Sequence, residues 1–249
     1  MTFQDIQTKI QNSENLDFGK ILDQSIKLFK EVWLKGFLMV LMIIIFGGIL
    51  AFIFVSIGLI PNPYDAMGIE EINFLTNYAK SALNNLPQTV TITPIVIGLL
   101  AGFYRICRQV DLQEPQNDDF FHFFKGDYFR KVLAVGLVYA LIASIAQALF
   151  LIPYIYAYIP LSFFAVIFAN NPELSASEIV KLSFSLGTKK WFITFGLIFV
   201  SGLLGMLGII ACGIGVLFTI SIVYLPVYFI YRDVIGFEDD DEIMKIGTE

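Results

Sequence analysis

Two long stretches without a formal charge dominate the pattern of hydrophobic and polar positions along the chain. Residues 132–172 and residues 191–231 each contain 41 consecutive positions without Asp, Glu, Lys, Arg or His. As a single helix rising 1.5 Å per residue, either stretch would extend about 60 Å, twice the hydrocarbon thickness of a bilayer. Each stretch therefore predicts two membrane-spanning helices that fold back on each other.

Two further apolar runs complete a predicted bundle of six transmembrane helices. The chain is 57% hydrophobic and 15% charged, whereas soluble domains carry about 25% charged residues. We expect an all-α fold, with one polytopic membrane domain over residues 1–235 and an acidic cytoplasmic tail over residues 236–249. The predicted spans cover about residues 36–60, 89–106, 132–152, 154–170, 191–212 and 214–231.

Local signals refine the spans and their connections. Reversals are expected at residues 153–154 and 212–215, where proline and glycine favour turns. Pro94 is expected near the first turn of the second span, and Pro160 at a kink or at the regular start of the fourth. Apolar positions at helical spacing predict amphipathic helices within residues 1–31 and 175–188, capped by Asn15 or Asp17 and by Ser177 respectively. A third, over residues 118–125, is expected to point its aromatic side chains toward lipid.

The basic residues predict the orientation of the bundle. If the amino terminus is cytoplasmic, fifteen of the sixteen Lys and Arg residues lie on the cytoplasmic side, and Lys80 is the exception. Cytoplasmic loops carry such an excess, so we expect both termini in the cytoplasm. Tryptophan and basic residues at the ends of spans are predicted to anchor the bundle at the membrane interface: Trp33, Trp191, Lys189, Lys190, Arg105 and Arg108. Aromatic residues are also typical of the interface, and Tyr154, Tyr156 and Tyr158 are expected near the outer one.

An internal repeat is a further prediction. A serine precedes a tryptophan by eight residues twice, at Ser25 with Trp33 and at Ser183 with Trp191, and Phe129 stands near the equivalent place in the middle segment. Three such units would each contain a cytoplasmic amphipathic helix and a hairpin of spans. The alternative is that any span entering from the cytoplasm collects Lys and Trp at its interface.

Short motifs in the second half of the chain resemble a known family. They comprise Glu178 with Ser183 ahead of Lys190 and Trp191, the run Pro153, Tyr154, Ile155 and Tyr156, and residues 213–219. In these motifs the chain resembles a bacterial integral-membrane family related to the membrane domain fused to some glycerophosphodiester phosphodiesterases. The resemblance implies a location in the bacterial inner membrane. Members have no established catalytic residues, so none is carried over to this chain.

Few residues suggest chemistry. Asp118, Asp119 and His122 could form a metal site, but acidic residues in a helical first turn explain the same pattern. Non-haem iron requires several His ligands, and the chain has one His. We therefore predict no catalytic, cofactor or metal site. Cys107 and Cys212 are expected to be buried apolar residues.

Small residues predict close helix packing. Gly98 and Gly102 form a GxxxG pair, and Ser201, Gly205, Gly208 and Cys212 form a seam in the fifth span. Such residues let helices approach closely. We favour packing within one chain, while packing between chains remains open.

Three functions follow as hypotheses. The first is a non-enzymatic inner-membrane protein that organises membrane lipids or other membrane proteins. The second is a subunit of a small-molecule or lipid transporter, although the predicted spans contain no ionisable residue of the kind that proton coupling requires. The third is a membrane enzyme. No feature of the chain indicates nucleic acid as a partner.

Overall fold

The described part of the chain is mainly helical and contains no strand. The computed structural model describes residues 1–60, 83–210 and 213–237. The expected all-α bundle is confirmed, because six helical stretches are long and apolar enough to cross a membrane: Phe18–Ser56, Leu86–Asp111, Tyr128–Ala148, Leu151–Asn170, Trp191–Ile210 and Gly215–Val234. The connection over residues 61–82, Cys212 and residues 238–249 of the acidic tail lie outside the described residues.

The first helices form the amino-terminal arm and the first span. Helix α1 (Phe3–Asn12) begins in a capping box between Thr2 and Asp5, and its apolar face buries Ile6 and Ile10 completely. Helix α2 (Phe18–Ser56) is capped by Asp17, which accepts a hydrogen bond from the Lys20 amide at 2.8 Å. The expected amphipathic helix and the first span are thus one continuous helix of 39 residues.

Helix α3 (Leu86–Asp111) forms the second span and corrects the expected place of Pro94. This proline lies inside the helix, beyond the first turn. Its ring removes one backbone donor, and the Thr93 hydroxyl donates to the Thr89 carbonyl at 2.6 Å beside it. The neighbouring helix α4 (Tyr128–Ala148) approaches the proline through Gly136, where an added Cβ would lie 2.4 Å from the Pro94 Cα.

The segment between the second and third spans folds into the bundle. Only a 3-10 turn, His122–Phe124, forms there instead of the expected interfacial helix. Phe120 and Phe123 are buried rather than directed to lipid. The physical reason lies in α3, whose Gly98 and Gly102 leave room for this segment: an added Cβ would lie 2.4 Å from the Phe124 ring and 2.5 Å from the Phe120 carbonyl oxygen.

The fourth span consists of α5 (Leu151–Ser162) and α6 (Phe164–Asn170). The reversal before it occurs at Phe150, which has a φ of 93°, and not at residues 153–154 as expected. Pro153 instead occupies the first turn of α5, where a proline costs no hydrogen bond. Pro160 lies inside α5, and the helix breaks two residues after it, at Ser162 and Phe163. Residues 164–168 are almost completely buried, which places α6 in the core.

Helix α7 (Ala176–Lys189) returns along the fourth span. Ser175 caps it in a capping box with Glu178, so the expected cap at Ser177 is wrong. The physical reason is the spacing: because the two residues are three positions apart, the side chain of each accepts a hydrogen bond from the backbone N–H of the other. Gly187 packs against Pro160, where an added Cβ would lie 2.5 Å from the proline Cα.

The last two spans follow directly. The fifth comprises α8 (Trp191–Met206) and a 3-10 turn, Leu207–Ile210; the sixth comprises α9 (Gly215–Thr219), a 3-10 turn over Ile220–Tyr224, and α10 (Leu225–Val234). Ser25 and Ser183 of the predicted repeat are both buried. However, α2 runs unbroken through Trp33, whereas α7 ends before Trp191, and the three-unit repeat stays a prediction.

Candidate functional site

A cavity of about 190 Å³ lies inside the bundle, among the second to sixth spans. Tyrosines from four different spans face it: Tyr104, Tyr139, Tyr158 and Tyr224. The remaining lining side chains are mostly apolar and come from the second, fourth, fifth and sixth spans: Thr93, Val96, Ile97, Leu100, Leu161, Ser162, Ala165, Ile198, Val223 and Val227. A cavity with apolar walls and a few converging polar groups is the usual form of a small-molecule site.

The hydrogen bonds of the cavity separate engaged hydroxyls from free ones. Tyr104 donates to the Tyr224 carbonyl at 3.1 Å, and Ser162 donates to the Ile159 carbonyl at 2.7 Å. Within the residues that the structure describes, the hydroxyls of Tyr139, Tyr158 and Tyr224 have no hydrogen-bond partner. These three hydroxyls can therefore both donate to and accept from a bound molecule.

Packing fixes the orientation of the tyrosine rings. The Tyr139 ring meets the buried Phe164 ring edge-on, with centroids 5.6 Å apart and planes at 89°, a favoured geometry for aromatic pairs. Tyr154 and Tyr158 are one helical turn apart, with ring centroids 6.4 Å apart. The rings are held in place by the helices that carry them.

An apolar groove adjoins the cavity between the fourth and fifth spans. It encloses about 280 Å³ and is lined by apolar atoms of Tyr154, Ile155, Tyr158, Ile159, Phe195, Ile198 and Phe199. Tyr158 and Ile198 line both the cavity and the groove, so these two side chains form the boundary between them. Ile155 and Phe199 are also exposed on the outside of the bundle, which means that the groove opens at its apolar surface.

Trp191 stands at one end of the groove wall. Its indole N–H donates to the Tyr156 carbonyl at 3.2 Å, and its ring stacks on Phe195 with centroids 5.1 Å apart. The expected positions of Trp191 at the inner interface and of Tyr156 at the outer interface cannot both hold, because the two residues are in contact. The same two segments are also in close contact where Gly187 packs on Pro160. The other expected tryptophan anchor, Trp33, is exposed and lies against Phe218 at 6.2 Å.

Lys189 and Lys190 bind the amino-terminal helix. The Lys189 ammonium donates to the Ile10 carbonyl at 2.8 Å and also to the Gln11 carbonyl, and Lys190 donates to the Ser13 carbonyl at 3.3 Å. Cations at a helix carboxyl end satisfy its free carbonyls and interact favourably with its dipole. Burial, and then the neighbouring charge of Lys189, lower the pKa of Lys190. Their role as lipid anchors stays a prediction.

The two arginine anchors lie on α3. The Arg108 guanidinium covers the Phe237 ring at 4.7 Å, and its Nε lies 3.4 Å from Glu114. Arg105 is half-buried, and its Nη1 has no hydrogen-bond partner in the described part of the chain. Neither arginine lines the cavity, and their contact with lipid stays a prediction.

A partly buried ion pair that the sequence pattern did not reveal joins α3 to α10. Arg232 Nη1 lies 3.0 Å and 2.8 Å from the two carboxylate oxygens of Asp111, and the Tyr228 hydroxyl donates to the same carboxylate at 2.9 Å. Asp111 is more than a hundred positions from both Tyr228 and Arg232 in the chain. No local spacing relates it to them.

The small residues predicted to pack helices closely make two kinds of contact. Gly98 and Gly102 receive the segment around Phe120 and not another span, as described above. Gly205 and Gly208 face the sixth span of the same chain, since added Cβ atoms would lie 3.2 Å from the Ile220 Cα and 2.4 Å from the Gly215 carbonyl carbon. Ser201, in the same seam, is fully buried.

The acidic and histidine group of the middle segment is held by lysines. Lys35 pairs with Asp118 at 2.6 Å, and Lys125 pairs with Asp119 at 2.7 Å. The hydrogen bond from Lys125 lowers the pKa of Asp119, while burial and the charge of Arg105 lower the pKa of His122. Among the described residues, no three His, Cys, Asp or Glu side chains are placed to hold a metal ion.

Comparisons with known proteins assign no function to this arrangement. Comparisons with family models, with curated proteins and with solved structures found no match to the chain. The resemblance to the membrane domain of glycerophosphodiester phosphodiesterases therefore stays a prediction.

Proposed function

We propose that this protein is a membrane protein that binds a lipid or lipid-like amphiphile from within the bilayer. The observation that carries the proposal is the tyrosine-lined cavity joined to an apolar groove at Tyr158 and Ile198. An amphiphile could place its polar head among the hydroxyls and its hydrocarbon chain in the groove. This arrangement favours a lipid among the partners expected from the sequence.

The geometry of access supports a ligand that arrives through the membrane. The groove lies on the outside of two helices that are apolar enough to span a bilayer. A hydrocarbon chain that enters it exchanges one apolar environment for another, so the gain in binding comes from packing and from the hydrogen bonds of the head. The distribution of basic residues favours a bundle with both termini in the cytoplasm, and we propose the bacterial inner membrane as its location.

Lipid retention after purification tests the proposal. The protein would be extracted in detergent, washed, and examined by native mass spectrometry for bound small molecules. Ala165→Leu adds three carbons inside the cavity, and Ala134→Leu adds the same three carbons at an exposed position of α4. We expect a retained lipid on the parent protein and on Ala134→Leu, and its loss from Ala165→Leu. Equal retention by all three would contradict the proposal.

Transport remains the second candidate, since a central cavity among several spans also suits a pathway. A flux assay in liposomes separates the two functions. Movement of lipid or solute above the level of protein-free vesicles, abolished by Ala165→Leu, would favour transport over binding alone. The third candidate, an enzyme, would use Asp118, Asp119 and His122, although both carboxylates are paired with lysines.

A further inference from the structure

The lining of the cavity and groove restricts the charge of any ligand. No Asp, Glu, Lys, Arg or His is among the described residues that line either space. An ionised group in an apolar site is strongly disfavoured unless it is paired and hydrogen-bonded. A phosphate, carboxylate or ammonium head would have no counter-charge here. The head that fits this cavity is therefore uncharged.

The hydroxyls indicate what the uncharged head contains. Tyr139, Tyr158 and Tyr224 each offer a donor and acceptor sites, while the hydroxyl protons of Thr93 and Ser162 are already directed to backbone carbonyls. Groups that match three free phenol hydroxyls are alcohol, ester and ketone oxygens. A purely hydrocarbon ligand would leave these hydroxyls without partners.

The cavity volume limits the size of the head. An engineered cavity of about 150 Å³ in another protein binds benzene, which has six heavy atoms. The present cavity, of about 190 Å³, is slightly larger. A head of the size of glycerol fits it, and the attached chain would pass between Tyr158 and Ile198 into the groove.

We infer that the ligand is an amphiphile with an uncharged, oxygen-bearing head of about the size of glycerol, as in a monoacylglycerol. This inference rests on the proposed lipid-binding function and narrows it to one chemical class. It distinguishes two molecules that differ only by a phosphate: the monoacylglycerol binds in the cavity, and its phosphate ester is excluded.

Fluorescence quenching compares these two molecules directly. Trp33→Phe leaves Trp191 as the only tryptophan of the chain, and its ring stacks on Phe195 in the groove wall. Monoacylglycerol and its phosphate ester, both with the same brominated chain, would be titrated into nanodiscs that hold this variant. The same titrations would be run with Ala165→Leu, and with Tyr139, Tyr158 and Tyr224 all changed to Phe, which removes the hydroxyls but keeps the rings.

Because the cavity offers the charged head no counter-charge, the neutral probe should quench Trp191 at a mole fraction at least about tenfold lower than the phosphate ester does. Loss of three hydrogen bonds in the triple Phe variant should weaken binding of the neutral probe by at least about tenfold. Equal quenching by both probes, lost for both in Ala165→Leu, would overturn the inference while lipid binding stands. An unchanged neutral titration in the triple Phe variant would overturn it too. If Ala165→Leu changes neither titration, the proposed function fails as well.

Discussion

Removing the carboxylate of Asp111 should destabilise the fold far more than removing an equally short surface ion pair. Asp111 accepts two hydrogen bonds from Arg232 Nη1, at 3.0 Å and 2.8 Å, and a third from the Tyr228 hydroxyl at 2.9 Å. The exposed fractions of the Asp111 and Arg232 side chains are 16% and 21%. Asp111→Asn keeps the shape of the side chain and removes its charge.

The magnitude follows from the burial of the pair. Breaking a fully buried ion pair costs about 3–5 kcal/mol, and a fully exposed one is worth about 0–1 kcal/mol. This pair is largely buried, but Arg232 keeps its contact with Asp233 at 3.1 Å. We therefore expect a loss of about 2 kcal/mol in the free energy of unfolding, which corresponds to about 4–8 °C in Tm for a domain of this size.

Thermal unfolding of the purified protein in detergent micelles measures this loss. The matched control is Asp23→Asn, which removes an ion pair with Lys27 that is 2.7 Å long but has side chains 61% and 70% exposed. Such exposed helical pairs contribute about 0.3–0.5 kcal/mol, so the control should lower Tm by no more than about 2 °C. Similar losses for the two variants would refute the argument from burial.

Three further variants test other parts of the fold. Ile10→Ala truncates a fully buried side chain of α1. The truncation should remove about 2–4 kcal/mol of packing free energy, so α1 should detach from the bundle and hydrogen exchange over residues 3–12 should become faster. Gly136→Ala places a Cβ 2.4 Å from the Pro94 Cα, whereas Gly48→Ala meets nothing within 4 Å, so only the former should lower Tm, by overpacking worth about 1–3 kcal/mol. Hydrogen bonds from Ser175 lower the pKa of Glu178; their stabilisation is present above the ordinary carboxyl pKa and is lost as the pH falls through the lowered value. Ser175→Ala should raise the Glu178 pKa in an NMR titration, and no change would contradict the capping box.

The architecture could be predicted from the sequence because its signals are local. Two uncharged runs of 41 residues are too long for single spans and therefore predict four helices, and two further apolar runs raise the number to the six helices of spanning length in the described part of the chain. The cap at Asp17 was one of two alternatives offered by the pattern, and the structure selects it. The cap of α7 could also have been predicted from the sequence, since Ser175 stands three residues before Glu178, as a capping box requires.

The candidate site could not be predicted, because the tyrosines that form it come from different spans and share no spacing in the sequence. One signal was available: Tyr139 and Tyr224 lie well inside predicted spans, where a phenol hydroxyl needs a hydrogen-bond partner. The partners of Lys189 and of Asp111 lie more than a hundred residues away. The packing of Phe120 on Gly102 likewise depends on how a connecting segment folds back, which helical periodicity does not describe.

Photocrosslinking in membranes tests the central claim most directly. A neutral monoacylglycerol with a diazirine in its chain would be incorporated into membranes that contain the protein, activated, and mapped by peptide mass spectrometry. Labelling should concentrate on groove residues Ile155, Phe195 and Phe199, and Ala165→Leu should abolish it there. If Ile152 and Ile210, which are exposed apolar residues outside the groove lining, are labelled as strongly as the groove, the lipid merely surrounds the protein and the account is contradicted.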